Sequence, residues 1–237
     1  MDNVFLNAKW ICAEKSVSSP IIYKRFDLPS GMLRKATLRI TGVGYFDAKI
    51  NGEKVTDYVL LPVASDYEPR PLSRKALYYP IEGRTGTSRI YYYEFDVSNL
   101  LTKNENVLSV QLGNGWYIAK DFGDQKKTIF QIEVHTNTGV TTFNSDGTET
   151  WTNSKILYNN IFTGEIIDLN AEVDKLFPVQ IAESPDALLT KAMGTPDKII
   201  KSVPFTLIDE INGRKIYDLG QSISGIVRVK TSAKCGE

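Results

Sequence analysis

The stretch Lys35-Ala36-Thr37-Leu38-Arg39-Ile40-Thr41, taken with Tyr45-Phe46-Asp47-Ala48-Lys49-Ile50-Asn51-Gly52, decides the fold class. Ala36, Leu38 and Ile40 alternate with Lys35, Thr37, Arg39 and Thr41, and then Phe46, Ala48 and Ile50 alternate with Tyr45, Asp47 and Lys49. A period of two puts one apolar face on a strand, whereas a helix would repeat every three to four residues. Asn51-Gly52 closes the run with two residues that accept positive φ, the strongest short hairpin signal a sequence carries.

Working outward, the same pattern predicts strands at Ile90–Phe95, Val107–Leu112, Thr128–Val134, Val140–Phe143, Glu149–Trp151 and Gly225–Thr231. Asp146-Gly147 marks a second hairpin turn, and the run from Asp96 to Leu101 reads as a helical turn before a polar loop. Asp186–Met193, between Pro185 and Gly194, is the one helix candidate of any length. Short strands at regular spacing with polar turns predict an all-β protein, an antiparallel β-sandwich.

Two segments break the rhythm. Residues 68–89 are rich in proline, glycine and basic side chains and read as a long surface loop. Residues 177–204 carry Pro178, Pro185, Pro196 and Pro204 and separate one run of strands from the next. The expected organisation is therefore a sandwich over 1–180, a linker over 181–204, and the beginning of a second β-domain over 205–237. That last piece is too short to bury a core of its own. It stops at Cys235-Gly236-Glu237, right after an expected strand, so the chain reads as truncated.

Composition narrows the function classes. The chain has 237 residues, 42% of them hydrophobic, enough for a sizeable core. Lys and Arg total 28 against 28 Asp and Glu, so no overall field draws in nucleic acid or an anionic membrane. No run approaches the roughly 18 apolar residues of a membrane span. Cys12 and Cys235 are too few for a disulfide framework or a zinc site, and a lone His135 argues against a histidine base.

Individual motifs admit both a plain and a functional reading. Gly42-Val43-Gly44 lacks the third glycine and the helix of a dinucleotide fingerprint, since Asp47 stands where that glycine belongs. His135, at a strand end, fits a solvated or hydrogen-bonded residue better than a catalytic base. Gly113-Asn114-Gly115-Trp116-Tyr117 would present two aromatics and an amide at a loop tip, which suits a sugar's apolar face and hydroxyl rim; equally, the Trp-Tyr pair could plug the end of the sandwich. Gly164-Glu165-Ile166-Ile167-Asp168 offers two carboxylates that an extended chain would point to opposite sides, so they form no local glycosidase pair. Ser65-Asp66-Tyr67-Glu68 supplies oxygens without the spacing of a calcium loop.

In order along the chain, these pieces resemble one family. They are Ala8-Lys9-Trp10-Ile11, Gly42-Val43-Gly44-Tyr45 leading to Ile50-Asn51-Gly52-Glu53, Ser65-Asp66-Tyr67, Phe95-Asp96-Val97, Glu105-Asn106-Val107, Leu112-Gly113-Asn114-Gly115-Trp116-Tyr117, Ser145-Asp146-Gly147-Thr148, Gly164-Glu165 with Asp168, and Tyr217-Asp218-Leu219-Gly220-Gln221. The series is similar to the N-terminal region of bacterial α-L-rhamnosidases. The resemblance implies a jelly-roll-like accessory sandwich. It also implies an inverting reaction on terminal L-rhamnose in an (α/α)6 barrel further downstream, so that this chain holds no catalytic residue.

The resemblance further implies two partners, an L-rhamnose-containing glycan and the downstream catalytic domain; from the charge balance and the lack of a long apolar run, neither nucleic acid nor membrane is expected. Some members bind rhamnose on a related sandwich, at times through calcium. By motif, the positions carried over are Asp66, Tyr67, Asn114, Trp116, Tyr117, Glu165 and Asp168. Three departures stand against calcium as a cofactor. Val63 and Ala64 replace a tryptophan, an insertion follows Tyr67, and Gly164-Glu165-Ile166-Ile167-Asp168-Leu169-Asn170 lacks an aromatic and a cation usual there. The compartment stays open, leaning to a periplasmic or extracellular one. Two alternatives without sugar binding stand beside this: a purely structural module that packs on the barrel and supports it, and a protein-contact sandwich using Tyr91-Tyr92-Tyr93, with at least one of those tyrosines expected in the core.

Overall fold

The computed structural model describes residues 4–14, 16–67, 88–119, 123–173, 175–230 and 232. The chain divides into two compact units, Met1–Asp197 and Lys198–Glu237. Strands are numbered along the chain.

Unit 1 is a β-sandwich. One sheet runs in the order Gln180–Ile181 (β14), Ile11–Cys12 (β1), Lys127–Thr136 (β8), Leu33–Val43 (β3), Arg89–Asp96 (β6) and Leu188–Lys191 (β15), with Val140–Asn144 (β9) also pairing β8. The facing sheet runs Phe177–Pro178 (β13), Thr150–Asn153 (β10), Pro20–Phe26 (β2), Asn106–Gly113 (β7), Tyr45–Ile50 (β4) and Glu53–Lys54 (β5). Pairing is antiparallel except between β15 and β6.

The alternation read from the sequence decides which face is inside. Ala36, Leu38 and Ile40 of β3, Phe130, Ile132 and Val134 of β8, Phe46, Ala48 and Ile50 of β4, and Leu108, Val110 and Leu112 of β7 form one buried cluster between the sheets. Side chains such as these each contribute roughly 1.5–3 kcal/mol on burial. A second cluster gathers Phe5, Trp10, Val43, Tyr67, Ile90, Tyr92, Tyr117 and Ile129. Ile129 is the sequence neighbour of Phe130, so this cluster covers the opposite face of β8. It also explains why Tyr92 and Tyr93 are both buried: Tyr92 faces the second cluster and Tyr93 the first.

Several expectations change. The expected helix over Asp186–Met193 is instead β15, laid parallel to β6 in register Leu188↔Arg89 through Lys191↔Tyr92. Thr190 suits a strand, and the open hydrogen-bonding edge of β6 outweighs local helix propensity. The Gly113–Tyr117 loop tip is instead the end of β7 followed by one helical turn, α1 (Gly115–Ala119). No strand forms over 225–230, and Thr231 lies outside the described residues. Most of the expected loop, 68–87, lies outside them too.

A two-stranded ribbon, Ile156–Asn160 (β11) with Gly164–Ile167 (β12), stands apart from both sheets. In unit 2, Thr206–Ile211 (β16) and Arg214–Asp218 (β17) form a hairpin turning on Asn212 and Gly213, whose φ values of 51° and 75° identify a primed turn.

Candidate functional site

The sequence-selected residues fall into three groups. Around α1, Asn114 is held on every polar atom. Its backbone N–H donates to Asn159 Oδ1 at 2.7 Å, its Nδ2 to the Asn159 carbonyl at 2.8 Å, and its Oδ1 accepts from Lys126 Nζ at 2.9 Å. Asn159 is itself buried and donates to the Ser18 carbonyl and Oγ. Burial pushes the Lys126 ammonium pKa down. The amide therefore locks the β7–α1 corner to the β11–β12 ribbon and leaves little capacity for a ligand.

Tyr117 and Tyr67 are both buried and meet edge to face, 5.2 Å between centroids. Burial pushes the Tyr67 hydroxyl pKa up to about 12, with the neighbouring Tyr45 adding to the shift. Trp116 is half-buried, packs edge-on against Phe162 at 5.6 Å, and shares a hydrogen bond with Tyr45. Of the three aromatics only Trp116 reaches the surface, beside the exposed Phe162.

Asp66 is exposed, and its carbonyl accepts the Arg89 N–H at 3.0 Å. Calcium asks for six to eight oxygens. Among the described residues no three His, Cys, Asp or Glu side chains gather, and Tyr67 turns into the core. Glu165 lies exposed in β12 opposite Asn159, while Asp168 sits past the strand, its Oδ1 accepting the Asn170 N–H at 2.9 Å in a local turn. His135 Nε2 lies 2.7 Å from Glu133 Oε1, its neighbour two residues back on the same face of β8.

The structure thus brings together Tyr67 with Tyr117, and Asn114 and Trp116 with the β11–β12 ribbon. Sequence reasoning missed Asn159, Lys126 and Phe162. No local pattern marks Asn159, since its partners Ser18 and Asn114 are distant in the chain. An aromatic at a ribbon turn, Phe162 before Thr163-Gly164, was the one readable signal.

Concavities also occur elsewhere among the described residues. A largely apolar cleft of ≈ 450 Å³ is lined by residues of 59–64 and 192–197 together with Tyr91 and Tyr93. A more polar cleft of ≈ 500 Å³ lies at the β10–β13 edge.

These features define an antiparallel β-sandwich in which Asn114, Tyr67 and Tyr117 are built into the packing. The comparisons then specify it. Residues 31–74 and 86–200 match the family model described as the alpha-L-rhamnosidase N-terminal domain, and the chain belongs to that family. An alpha-L-rhamnosidase of Formosa agariphila is 27% identical over 85% of this chain and 22% of its own length. One from Streptomyces avermitilis is 24% identical over 89% of the chain and 21% of its own length. The chain therefore spans about a fifth of these curated relatives. Among solved structures, the alpha-L-rhamnosidase of Dictyoglumus thermophilum superposes with a TM-score of 0.71 at 25% identity, over 90% of this chain and 25% of that one. The S. avermitilis enzyme, solved with L-rhamnose, gives 0.68 at 21% identity over 86% of this chain and 20% of that one.

Proposed function

We propose that this chain is the non-catalytic N-terminal accessory module of an α-L-rhamnosidase. The parent enzyme removes terminal L-rhamnose from glycans by an inverting displacement in a downstream (α/α)6 barrel, and the module supports that barrel. Family membership and the short span against the relatives support this reading. The observation that carries it is Asn114. The most suggestive sugar-binding side chain in the sequence spends its amide on Asn159 and Lys126, as a structural residue would.

The test is incubation of the purified chain with a chromogenic α-L-rhamnoside. We expect no turnover. Turnover that persists through successive purification steps, in constant proportion to this chain, would overturn the reading.

A further inference from the structure

We propose that the β10–β13 edge of the six-stranded sheet is a sugar-binding site, formed by Phe177, Asn153, Glu172 and Lys175. The open cleft of ≈ 500 Å³ there is lined by these four residues. Asn153 ends β10, and Phe177 opens β13, the edge strand of its sheet. Thr152 Oγ1 donates to the Val173 carbonyl at 2.6 Å, which ties the segment bearing Glu172 and Lys175 to the strand bearing Asn153.

The aromatic floor is rigid. Phe177 stacks on the buried Trp151 with centroids 4.9 Å apart at 25°, and Trp151 Nε1 donates to the Pro178 carbonyl at 3.1 Å. Around this ring the polar groups are unspent, unlike those of Asn114. Among the described residues, the side chains of Asn153 and Glu172 make no hydrogen bond, and Lys175 makes only a cation–π contact, Nζ 5.0 Å from the Phe177 centroid. An exposed cation–π contact on a flexible four-carbon stem is easily exchanged for a ligand hydroxyl.

A pyranose matches this set. Its C–H face packs on an aromatic ring, and its vicinal hydroxyls need both donors and acceptors. Asn153 supplies both, Lys175 donates and Glu172 accepts. Among the described residues the Glu172 carboxylate and the Lys175 ammonium balance in charge, which suits a neutral sugar over a uronic acid. This inference goes beyond the accessory-module reading and takes from it only the choice of L-rhamnose as probe. Rhamnoside turnover tests that reading; binding tests this one.

The experiment is a titration of the full 237-residue chain with L-rhamnose, and separately with D-galacturonate, followed by ligand-observed NMR and calorimetry. Saturable L-rhamnose binding with a Kd on the order of millimolar is expected, as suits one shallow site. The double variant Asn153→Ala, Glu172→Ala changes only exposed side chains and should weaken it about tenfold or more. Trp116→Ala should leave it unchanged. Phe177→Ala, with its melting temperature checked, should abolish it. The proposal is overturned if L-rhamnose gives no saturable signal, if the double variant binds as before, if Trp116→Ala is the variant that loses binding, or if D-galacturonate binds more tightly.

Discussion

Asn114 and Asn159 are joined by two hydrogen bonds running in the same direction, from the Asn114 backbone N–H to Asn159 Oδ1 and from Asn114 Nδ2 to the Asn159 carbonyl. The pair fastens the β11–β12 ribbon to the β7–α1 corner, and a two-stranded ribbon on its own is marginal in water. Replacing Asn159 by Leu keeps the volume near constant but leaves the Asn114 N–H and the Ser18 carbonyl unpaired. A loss of about 2–3 kcal/mol is expected, measured by urea unfolding. A loss below about 0.5 kcal/mol, the range of a neutral surface change, would mean that the corner does not depend on this pair.

Glu149 is fully buried, accepts Lys24 Nζ at 2.9 Å and the Gly147 N–H at 2.9 Å, and so shapes the Asp146-Gly147 turn from beneath. Glu149→Leu takes one of two carboxylates from the Lys24 ammonium, which is only 9% exposed and keeps Asp146 Oδ1 at 2.9 Å, and it leaves the Gly147 N–H without its acceptor. The expected cost is about 2–3 kcal/mol. The double variant Lys24→Met, Glu149→Leu should cost less than the two single losses added together, because the ion pair they share is lost only once. Additive losses in the two single variants would contradict the pairing.

Gly44 and Gly52 both have positive φ, +93° and +86°, but only Gly44 is crowded: a Cβ there would lie 2.3 Å from the Gly113 carbonyl oxygen. Gly52→Ala should cost about 1 kcal/mol, from its backbone conformation alone. Gly44→Ala adds a backbone clash and should cost about 3 kcal/mol. Thermal melts of the two variants compare them directly, and equal shifts would show that the β3–β4 corner has room to relax.

Arg39 donates to Glu94 at 2.9 Å and to Glu133 at 2.9 Å, and Lys191 also pairs with Glu94. The hydrogen bond from His135 and then that from Arg39 hold the Glu133 carboxyl below its ordinary value. Burial alone would raise Glu94, but its bonds to Lys191 and Arg39 outweigh that and lower it. With folded values depressed, the network's contribution is fully present above the unfolded glutamate pKa of about 4.3. It is lost as pH falls through the lower folded values. The urea midpoint should therefore drop below about pH 4.3, and Arg39→Gln should flatten that acid limb. An unchanged pH profile in Arg39→Gln would remove the network as its cause.

Much of the sandwich was legible because its inward faces repeat with period two. Ala36-Leu38-Ile40 and Phe46-Ala48-Ile50 name their own buried side, and Asn51-Gly52 takes the φ values of 54° and 86° that its residue types favour. The strand Leu188–Lys191 was not legible, since it exists only because β6 offers a free edge almost a hundred residues earlier. Tyr92 and Tyr93 defeat alternation for a related reason, as β6 carries buried residues on both faces. At the candidate site, residue type did not tell use from availability. Asn114 looked like a ligand-binding amide and is consumed by packing, whereas Asn153 drew no notice and has its amide to spare.

The pairing of Ile11–Cys12 with Gln180–Ile181, and of Leu188–Lys191 with Arg89–Tyr92, has a consequence for how the chain is made. The first strand waits for nearly the last one of its unit, so a ribosome must deliver the whole stretch before the seven-stranded sheet can close. At roughly 5–20 residues per second, that leaves an N-terminal apolar strand without its final neighbours for about 10–40 s of synthesis. During that interval Trp10 and Ile11 form a natural landing point for a chaperone.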